Sequence, residues 1–145
     1  MSDLLEVNGL KKYFNVSGGL LHAVDDVSFT LKAGETLGVV GESGCGKSTL
    51  GRVILGLLDA TGGSVRFEGK ETVGIAKHER FLARREMQMI FQDPFSSLNP
   101  RMCARDIIAE PLSIYGICKT RDEADNRVAD IMDTVGLDLR FAFSY

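Results

Sequence analysis

A glycine-rich segment at residues 41–48 has the residue types and spacing needed to hold a chain of phosphates. It fits the pattern of glycine, four variable residues, glycine, lysine, then serine or threonine. A loop around a polyphosphate must turn several backbone N–H groups inward, and glycine permits the tight, partly left-handed turns that this requires. The segment therefore predicts a nucleoside triphosphate site. In it, Lys47 would reach the β- and γ-phosphates, and the Ser48 hydroxyl would ligate Mg²⁺.

Nine consecutive residues are expected to contact the nucleotide. The last of them, Thr49, would meet the α-phosphate through its hydroxyl or its N–H, which is a weaker prediction than those for Lys47 and Ser48. The full set is Gly41, Glu42, Ser43, Gly44, Cys45, Gly46, Lys47, Ser48 and Thr49.

The elements around the loop are those that such a loop needs. Residues 36–40 are mostly apolar and predict a strand buried on both faces of a sheet. A helix is predicted from Lys47 to Leu58, because apolar residues recur at helical spacing after the loop. The positive end of that helix would add to the phosphate site. This strand–loop–helix order argues against a chance glycine-rich turn.

Cys45, inside the loop, has two interpretations. It is either a small residue that fits the turn or a reactive thiol, because the N-terminus of a helix favours thiolate. The sequence does not decide between them.

Composition narrows the class of protein. The 145 residues carry a net charge of -3, which gives no reason to expect nucleic acid as a partner. The first residues are acidic where a secretory signal would be basic, and no apolar run approaches the roughly 20 residues of a membrane span. Three cysteines without a CxxC pair favour a cytosolic chain without a disulfide framework.

The remaining strands are predicted mostly before the loop. Alternating or mostly apolar residues bounded by turn residues mark each of them. The strand segments are residues 4–7, 10–14, 27–31, 64–67 and 87–92, with turns at 17–19 and 32–35. The front of the chain is therefore rich in strands.

Helices are predicted mostly in the last third of the chain. A first helix at 77–85 precedes the strand at 87–92. A second covers 107–115, where Pro111 is expected to bend or break it. A third runs over 120–135, with a capping box between Thr120 and Glu123 and a stop at Gly136.

Three stretches resemble the ATP-binding subunits of ABC transporters. Residues 41–50 resemble the Walker A segment of that family, and residues 10–13, Leu-Lys-Lys-Tyr, resemble its A-loop. Residues 87–101 resemble the Q-loop region of the oligopeptide and dipeptide importers, and this match is long and specific. Its sequence is Met-Gln-Met-Ile-Phe-Gln-Asp-Pro-Phe-Ser-Ser-Leu-Asn-Pro-Arg. The similarity runs almost from end to end of the chain.

The resemblance assigns roles to individual residues. Tyr13 matches the aromatic residue that stacks on adenine; without the resemblance it would be an ordinary strand aromatic. Gln92 matches the Q-loop glutamine, which approaches Mg²⁺ and the attacking water. Lys47 and Gln92 are therefore expected in catalysis, and Ser48 and Gln92 at the metal. The implied ligands are ATP and Mg²⁺.

Other polar residues are expected to be structural. His22 and His78 are isolated in the sequence, so we expect them at the surface and outside any metal site. Asp93 suits a turn or a cap better than a metal. Arg84 and Arg85 suit the solvated face of a helix.

The resemblance implies an incomplete α/β fold of the P-loop NTPase type, as in ABC ATPases. The chain would be one truncated nucleotide-binding domain, residues 1–145. Its parts would be a strand-rich front at 1–35, a core from Walker A to the Q-loop at 36–94, and the start of a helical subdomain at 95–145. These correspond to an N-terminal β-subdomain, a partial parallel core sheet and the first helices of the helical subdomain.

The resemblance also implies partners and a location. Transmembrane permease subunits would dock near the Q-loop, at residues 92–101, and a second ATPase subunit would complete a homo- or heterodimer. Such a subunit lies peripherally on the cytoplasmic side of the plasma (inner) membrane. The transported substrate stays open among dipeptides, oligopeptides, nickel and glutathione.

Parts of the family's machinery are not found in these residues. The sequence holds no LSGGQ-type signature, no Walker B run ending in Asp-Glu and no switch histidine. The leading hypothesis is the front portion of the ATP-hydrolysing subunit of a peptide importer; the alternative is a non-catalytic nucleotide-binding fragment. For this chain alone we expect weak nucleotide binding and negligible turnover. A kinase or a DNA-repair ATPase is disfavoured by the Q-loop stretch and by Tyr13.

Overall fold

A long β-hairpin opens the chain. In the computed structural model, which describes residues 3–93 and 97–145, β1 (Asp3–Val16) pairs antiparallel with β2 (Gly19–Lys32). Ser17 and Gly18 form the turn, and Val16 pairs with Gly19 across it. The two short strands predicted at 4–7 and 10–14 are one strand, because register shifts let β1 bend without breaking the ladder.

A four-stranded antiparallel sheet carries the phosphate-loop helix. β3 (Gly62–Phe67) and β4 (Lys70–Glu71) complete it in the order β2-β1-β3-β4. α1 (Lys47–Ile54) packs its apolar face on the sheet, and α2 (Lys77–Glu86) follows β4. The buried side chains of this core are Val7, Leu10, Val24, Leu50, Val53 and Val65. Their removal from water is the main stabilising contribution here.

α1 ends earlier than the apolar pattern predicts. Gly56 is left-handed, with φ of 62°, and its N–H donates to the Val53 carbonyl while the Leu57 N–H donates to the Arg52 carbonyl. These two bonds form a Schellman motif, which satisfies the last carbonyls of the helix. The prediction that the helix reaches Leu58 was therefore wrong, because the helix stops at Gly56.

Two predicted core strands have no ladder partner. Within the described ranges, residues 35–40 and 87–91 belong to no strand. Val40, for which the sequence predicted burial, is 91% exposed, and Ile90 is 98% exposed. A strand buried on both faces needs hydrogen-bonding neighbours at its two edges. The described part of the chain does not supply them, so the partial parallel sheet does not form here.

The last part of the chain is helical. The structure divides into two units, Met1–Met89 and Ile90–Tyr145. In the second, α3 (Ala104–Ile114) packs against α4 (Arg121–Thr134), and a short 3₁₀ turn follows at Leu139–Phe141. The residues buried between these elements are Ala109, Leu112, Val128, Met132 and Ala142. None of the described helices is long and apolar enough to cross a bilayer.

Both predicted ends of α4 are confirmed. The Thr120 hydroxyl accepts from the Glu123 N–H, and the Glu123 carboxylate accepts from the Thr120 N–H, which together make the capping box. Gly136 is left-handed and follows the last turn. Its N–H donates to the Asp133 carbonyl, as a helix-ending glycine should.

Pro111 does not break α3. The helix runs from Ala104 through Pro111 to Ile114. Its first turn is fixed from outside, because the Ala104 and Arg105 N–H groups donate to the carbonyls of Ser144 and Ala142. These bonds and the buried apolar face outweigh the one helical hydrogen bond that proline removes. Of the two predicted effects of Pro111, the break is therefore wrong and the bend stays a prediction. The helix begins three residues earlier than the predicted Ile107.

Candidate functional site

The phosphate loop makes a tight turn that only a glycine-rich sequence can follow. Gly44 and Gly46 have φ of 81° and 96°, in the left-handed region that other residues avoid. The Cys45 N–H donates to the Glu42 carbonyl at 3.4 Å and closes the turn. The loop then enters α1 directly, with Gly46 as the N-cap.

Gly46 also fixes the loop to the sheet. A Cβ at this position would lie 2.0 Å from the carbonyl oxygen of Ala23 in β2, far inside contact distance. The backbone of the loop therefore lies directly against that of β2. Glycine is required here both for its φ and for the lack of a side chain.

Lys47 is folded back over the loop. Its Nζ donates to the carbonyl oxygens of Gly41, at 2.8 Å, and Glu42, at 2.6 Å. The ammonium therefore lies within the turn, where the sequence places the phosphates. Anionic phosphate oxygens are stronger partners for an ammonium than carbonyl oxygens are. The loop thus fits a polyphosphate, which would take over Lys47 from the loop carbonyls.

The N-terminus of α1 is left without a side-chain cap. Gly46 offers no capping oxygen, and the first turn holds no acidic residue. α4, by contrast, has both a capping box and two acids in its first turn. The orphan N–H groups and the positive end of α1 are thus available to an anion from outside.

Ser48 is the loop residue that the sequence predicts as a metal ligand. It is exposed in the first turn of α1, and Thr49, next to it, is partly buried. In residues 3–93 and 97–145 no group of three or more His, Cys, Asp or Glu side chains could hold a metal ion. Mg²⁺ keeps few protein ligands when it is bound with a phosphate substrate, so one hydroxyl beside a phosphate cradle fits this ion.

Cys45 keeps both of its interpretations. It is exposed, and its Sγ lies 3.5 Å from the Nζ of Lys47. A Cβ on Gly41 would come within 2.7 Å of that Sγ, so the thiol also fills the space beside a glycine. The exposure of the thiol suits a reactive group, and the close packing suits a small residue.

Tyr13 is held by two side chains that sequence reasoning left aside. Its ring is stacked on the His22 ring, with centroids 3.9 Å apart and planes 16° from parallel. Its hydroxyl donates to Asp25, whose other carboxylate oxygen is 3.2 Å from Nδ1 of His22. The Tyr13 N–H donates to the Thr61 hydroxyl at 2.9 Å. His22 is exposed, as expected, and its contacts with Tyr13 and Asp25 are ones that the sequence did not predict.

The contact between Tyr13 and Asp25 shifts the pKa of both groups. The hydroxyl of Tyr13, and then the ring of His22, hold the pKa of the Asp25 carboxyl below its usual value. Conversely, the hydrogen bond to Asp25, and then desolvation, raise the pKa of the Tyr13 phenol. The contact therefore favours a neutral phenol beside an ionised carboxylate.

The register of the hairpin explains this arrangement. Tyr13 pairs with His22 and Lys12 with Val24, so β2 has one extra residue, Ala23, as a bulge between the two pairs. Such a bulge redirects side chains. Counting back from the turn at Ser17 and Gly18 pairs Tyr13 with His22, so the sequence held a signal for this contact. The bulge itself had no such signal.

Gln92 is exposed in a bend and belongs to the second unit. Its roles at the metal and in catalysis stay predictions. Asp93 and Ser97 each have an interaction partner. Of the predicted docking segment, Pro94, Phe95 and Ser96 lie outside the described residues.

Comparison with known proteins places this site in a family. A family model described as "ABC transporter" matches residues 24–142. The oligopeptide transport ATP-binding protein OppF of Bacillus subtilis (strain 168) is 51% identical over 143 residues, which are 98% of this chain and 47% of that protein. OppF of Escherichia coli (strain K12) is 50% identical, over 92% of this chain and 43% of its own length.

Solved structures agree with the sequence relatives. A dimeric post-hydrolysis state of the ATP-binding cassette MJ0796, bound to ADP and Pi, has a TM-score of 0.81 at 25% identity. The match covers 96% of this chain and 60% of that one. The chain spans about half the length of the curated relatives it matches. The α/β fold is thus that of part of an ABC ATPase cassette, and the chain belongs to the ABC transporter family.

Proposed function

We propose that this chain is the front portion of the ATP-binding subunit of an ABC importer for peptides, and that it binds ATP with Mg²⁺ at residues 41–49. The observation that carries the proposal is the uncapped helix α1 behind a loop whose lysine donates to two loop carbonyls and lies against the Cys45 sulfur. Such a loop accepts anionic oxygens without displacing a side-chain anion. The name of the OppF relatives supports peptides as the cargo.

The chain's own residues divide the work of binding. Amides of the turn and of the first turn of α1 would face the phosphates, and Lys47 would neutralise part of their charge. Tyr13 would stack on adenine. Mg²⁺, held by Ser48 and phosphate oxygens, would supply further neutralisation of the triphosphate charge. Gln92 is proposed as the residue that responds to metal and attacking water.

The test is isothermal calorimetry of the 145-residue chain with MgATP. We expect measurable binding that Lys47→Ala weakens about tenfold or more, because a charge-assisted contact contributes roughly 1.5–3 kcal/mol. Lys70→Ala, an exposed lysine on β4, is the matched control and should leave affinity unchanged. Equal affinity in the wild type and Lys47→Ala contradicts the proposal.

A second candidate is a nucleotide-binding chain without catalysis. The exposed residues 35–40 favour it, because the segment that leads into the loop has no ladder to hold it during turnover. Phosphate release measured beside the Lys47→Ala variant separates the two candidates. Release no faster than from Lys47→Ala, with MgATP bound, supports the non-catalytic role.

Partners and location follow from the same family relation. We propose that permease subunits dock near residues 92–101, that a second ATPase subunit pairs with this one, and that the assembly lies on the cytoplasmic face of the membrane. The printed names of the relatives, as transport ATP-binding proteins, support this. Co-sedimentation of the chain with vesicles carrying peptide-permease subunits, against empty vesicles, tests the docking.

A further inference from the structure

The ring assigned to the base is part of a three-residue cluster. We propose that His22 and Asp25 are positioning residues that hold Tyr13 ready for the nucleotide base, so that the base platform is Tyr13–His22–Asp25 and not a single tyrosine. This inference rests on the proposed function, because it concerns the same nucleotide site. We call these three residues the platform.

Three contacts fix Tyr13, two from the other platform residues and one from Thr61. His22 covers one face of the ring in near-parallel stacking at 3.9 Å. Asp25 holds the hydroxyl at the tip of the ring, and Thr61 holds the backbone N–H at 2.9 Å. A partly exposed tyrosine without such contacts would lose rotamer freedom on binding. A ring that is already held loses less when a base stacks on it.

Asp25 contacts both rings. One carboxylate oxygen accepts from the Tyr13 hydroxyl and the other lies 3.2 Å from the His22 Nδ1. A single carboxylate thereby fixes the position of the Tyr13 hydroxyl and of the Nδ1 edge of the His22 ring. The stacked geometry therefore does not depend on ring contact alone.

The platform and the phosphate loop share one piece of backbone. Ala23, the bulged residue next to His22, presents the carbonyl against which Gly46 packs. The Tyr13 ring and Gly46, the last glycine of the loop, therefore both contact neighbouring residues of β2, His22 and Ala23. A ligand with both a base and phosphates would use this shared strand, whereas phosphates alone would need only the loop.

This difference supplies the experiment. Affinities for MgATP and for magnesium tripolyphosphate, which has no base, are measured by calorimetry on the 145-residue chain and its variants. We expect His22→Ala to weaken MgATP about three- to tenfold, from the energy of one aromatic stack, and to leave tripolyphosphate unchanged. Asp25→Asn should weaken MgATP in the same selective way.

Two further variants complete the design. His22→Phe keeps a flat ring against Tyr13 and should restore MgATP affinity to within about twofold of the wild type, which a merely structural loss would not do. His78→Ala removes the other histidine, exposed on α2, and should change neither affinity. Circular dichroism of each variant checks that the sheet is retained.

Each outcome bears on a different claim. The platform is overturned if His22→Ala weakens the affinity for both ligands equally or changes neither affinity. It is also overturned if His22→Ala binds MgATP more tightly, because His22 would then cover the face of the ring that the base needs. A wild type that binds both ligands with equal affinity removes the base platform but keeps the phosphate loop. Binding of neither ligand by the folded wild type overturns the proposed function itself.

Discussion

The phosphate loop has two unlike flanks. On its downstream side, α1 begins at once, and Val53 is fully buried against the sheet. On its upstream side, residues 35–40 form no strand, and Val40 is 91% exposed. Over a few residues, the chain thus passes from a segment that pairs with no strand in the described structure to a helix that is anchored in the core.

The difference comes from where each element finds its hydrogen bonds. A helix satisfies its backbone within itself and needs only one apolar face covered, which the hairpin provides for α1. A strand satisfies its backbone only through neighbours. The loop is therefore held from its helical side and from β2, through Gly46.

Gly46→Ala should have the largest effect on this comparison. The new Cβ would lie 2.0 Å from the Ala23 carbonyl oxygen, so the anchored flank must shift as well as accept a left-handed alanine. We expect a loss of about 3 kcal/mol or more in the free energy of unfolding. Gly44→Ala, also left-handed but with open space around its Cβ, should lose only about 1–2 kcal/mol. Urea unfolding followed by circular dichroism measures both, and equal losses would show that Gly46 does not anchor the loop.

Two identical substitutions compare the flanks directly. Val53→Ala removes two buried methyl groups from the core and should lower the free energy of unfolding by about 2 kcal/mol. Val40→Ala makes the same change at an exposed position and should stay within about 0.5 kcal/mol of the wild type. Denaturant midpoints provide the measurement. A similar loss in both variants would mean that residues 35–40 are packed in solution.

Sequence reasoning succeeded where the signal is local. The phosphate loop, the capping box at Thr120 and the glycine stop at Gly136 each depend on residues a few positions apart, and the structure contains all three. Gly56 carried a similar signal for the end of α1 but lies inside an apolar helical pattern. The pattern favoured continuation, and the left-handed backbone at Gly56 decided against it.

Sequence reasoning failed where the partner is distant. Residues 36–40 have the composition of a buried strand, yet composition cannot supply the neighbouring strand. Tyr13 was assigned a ligand from the resemblance, whereas its contacts with Asp25 depend on a bulge in β2 that composition does not reveal. The glycine turns of the loop and the start of α1 could thus be predicted from the sequence, but the surroundings of Tyr13 could not. The contacts of the single loop residues with a nucleotide stay predictions.

A smaller effect is expected from the hydrogen bond that joins the hairpin to the residues following α1. The Thr61 hydroxyl accepts from the Tyr13 N–H at 2.9 Å, near the surface. Thr61→Ala should therefore lower the free energy of unfolding by about 0.5–1 kcal/mol. Thr36→Ala, in the exposed upstream flank, is the matched control and should have almost no effect. If the thermal midpoints of the two variants coincide, the bond adds nothing to the anchored side.

The smallest expected effect is a change in the pKa of Tyr13, which lies in the β1–β2 hairpin on which α1 packs. Its phenol has a raised pKa, first because the hydroxyl donates to Asp25. Asp25→Asn removes the charge, so the difference in ultraviolet absorbance between the two proteins should report a lower phenol pKa in the variant. Superimposable titration curves would contradict the contact.

The same contact predicts how stability depends on pH at both extremes. A raised phenol pKa contributes stability that is present below pH 10.0 and is lost as the pH rises through the folded value. A lowered carboxyl pKa contributes stability that is present above pH 3.8 and is lost as the pH falls through the folded value. The stability difference between the wild type and Asp25→Asn should therefore be flat between these limits and shrink beyond each. A difference that persists beyond both limits would assign the effect of Asp25 to the backbone of the bulge, and the anchored flank would then depend on β2 itself, not on the side chains above it.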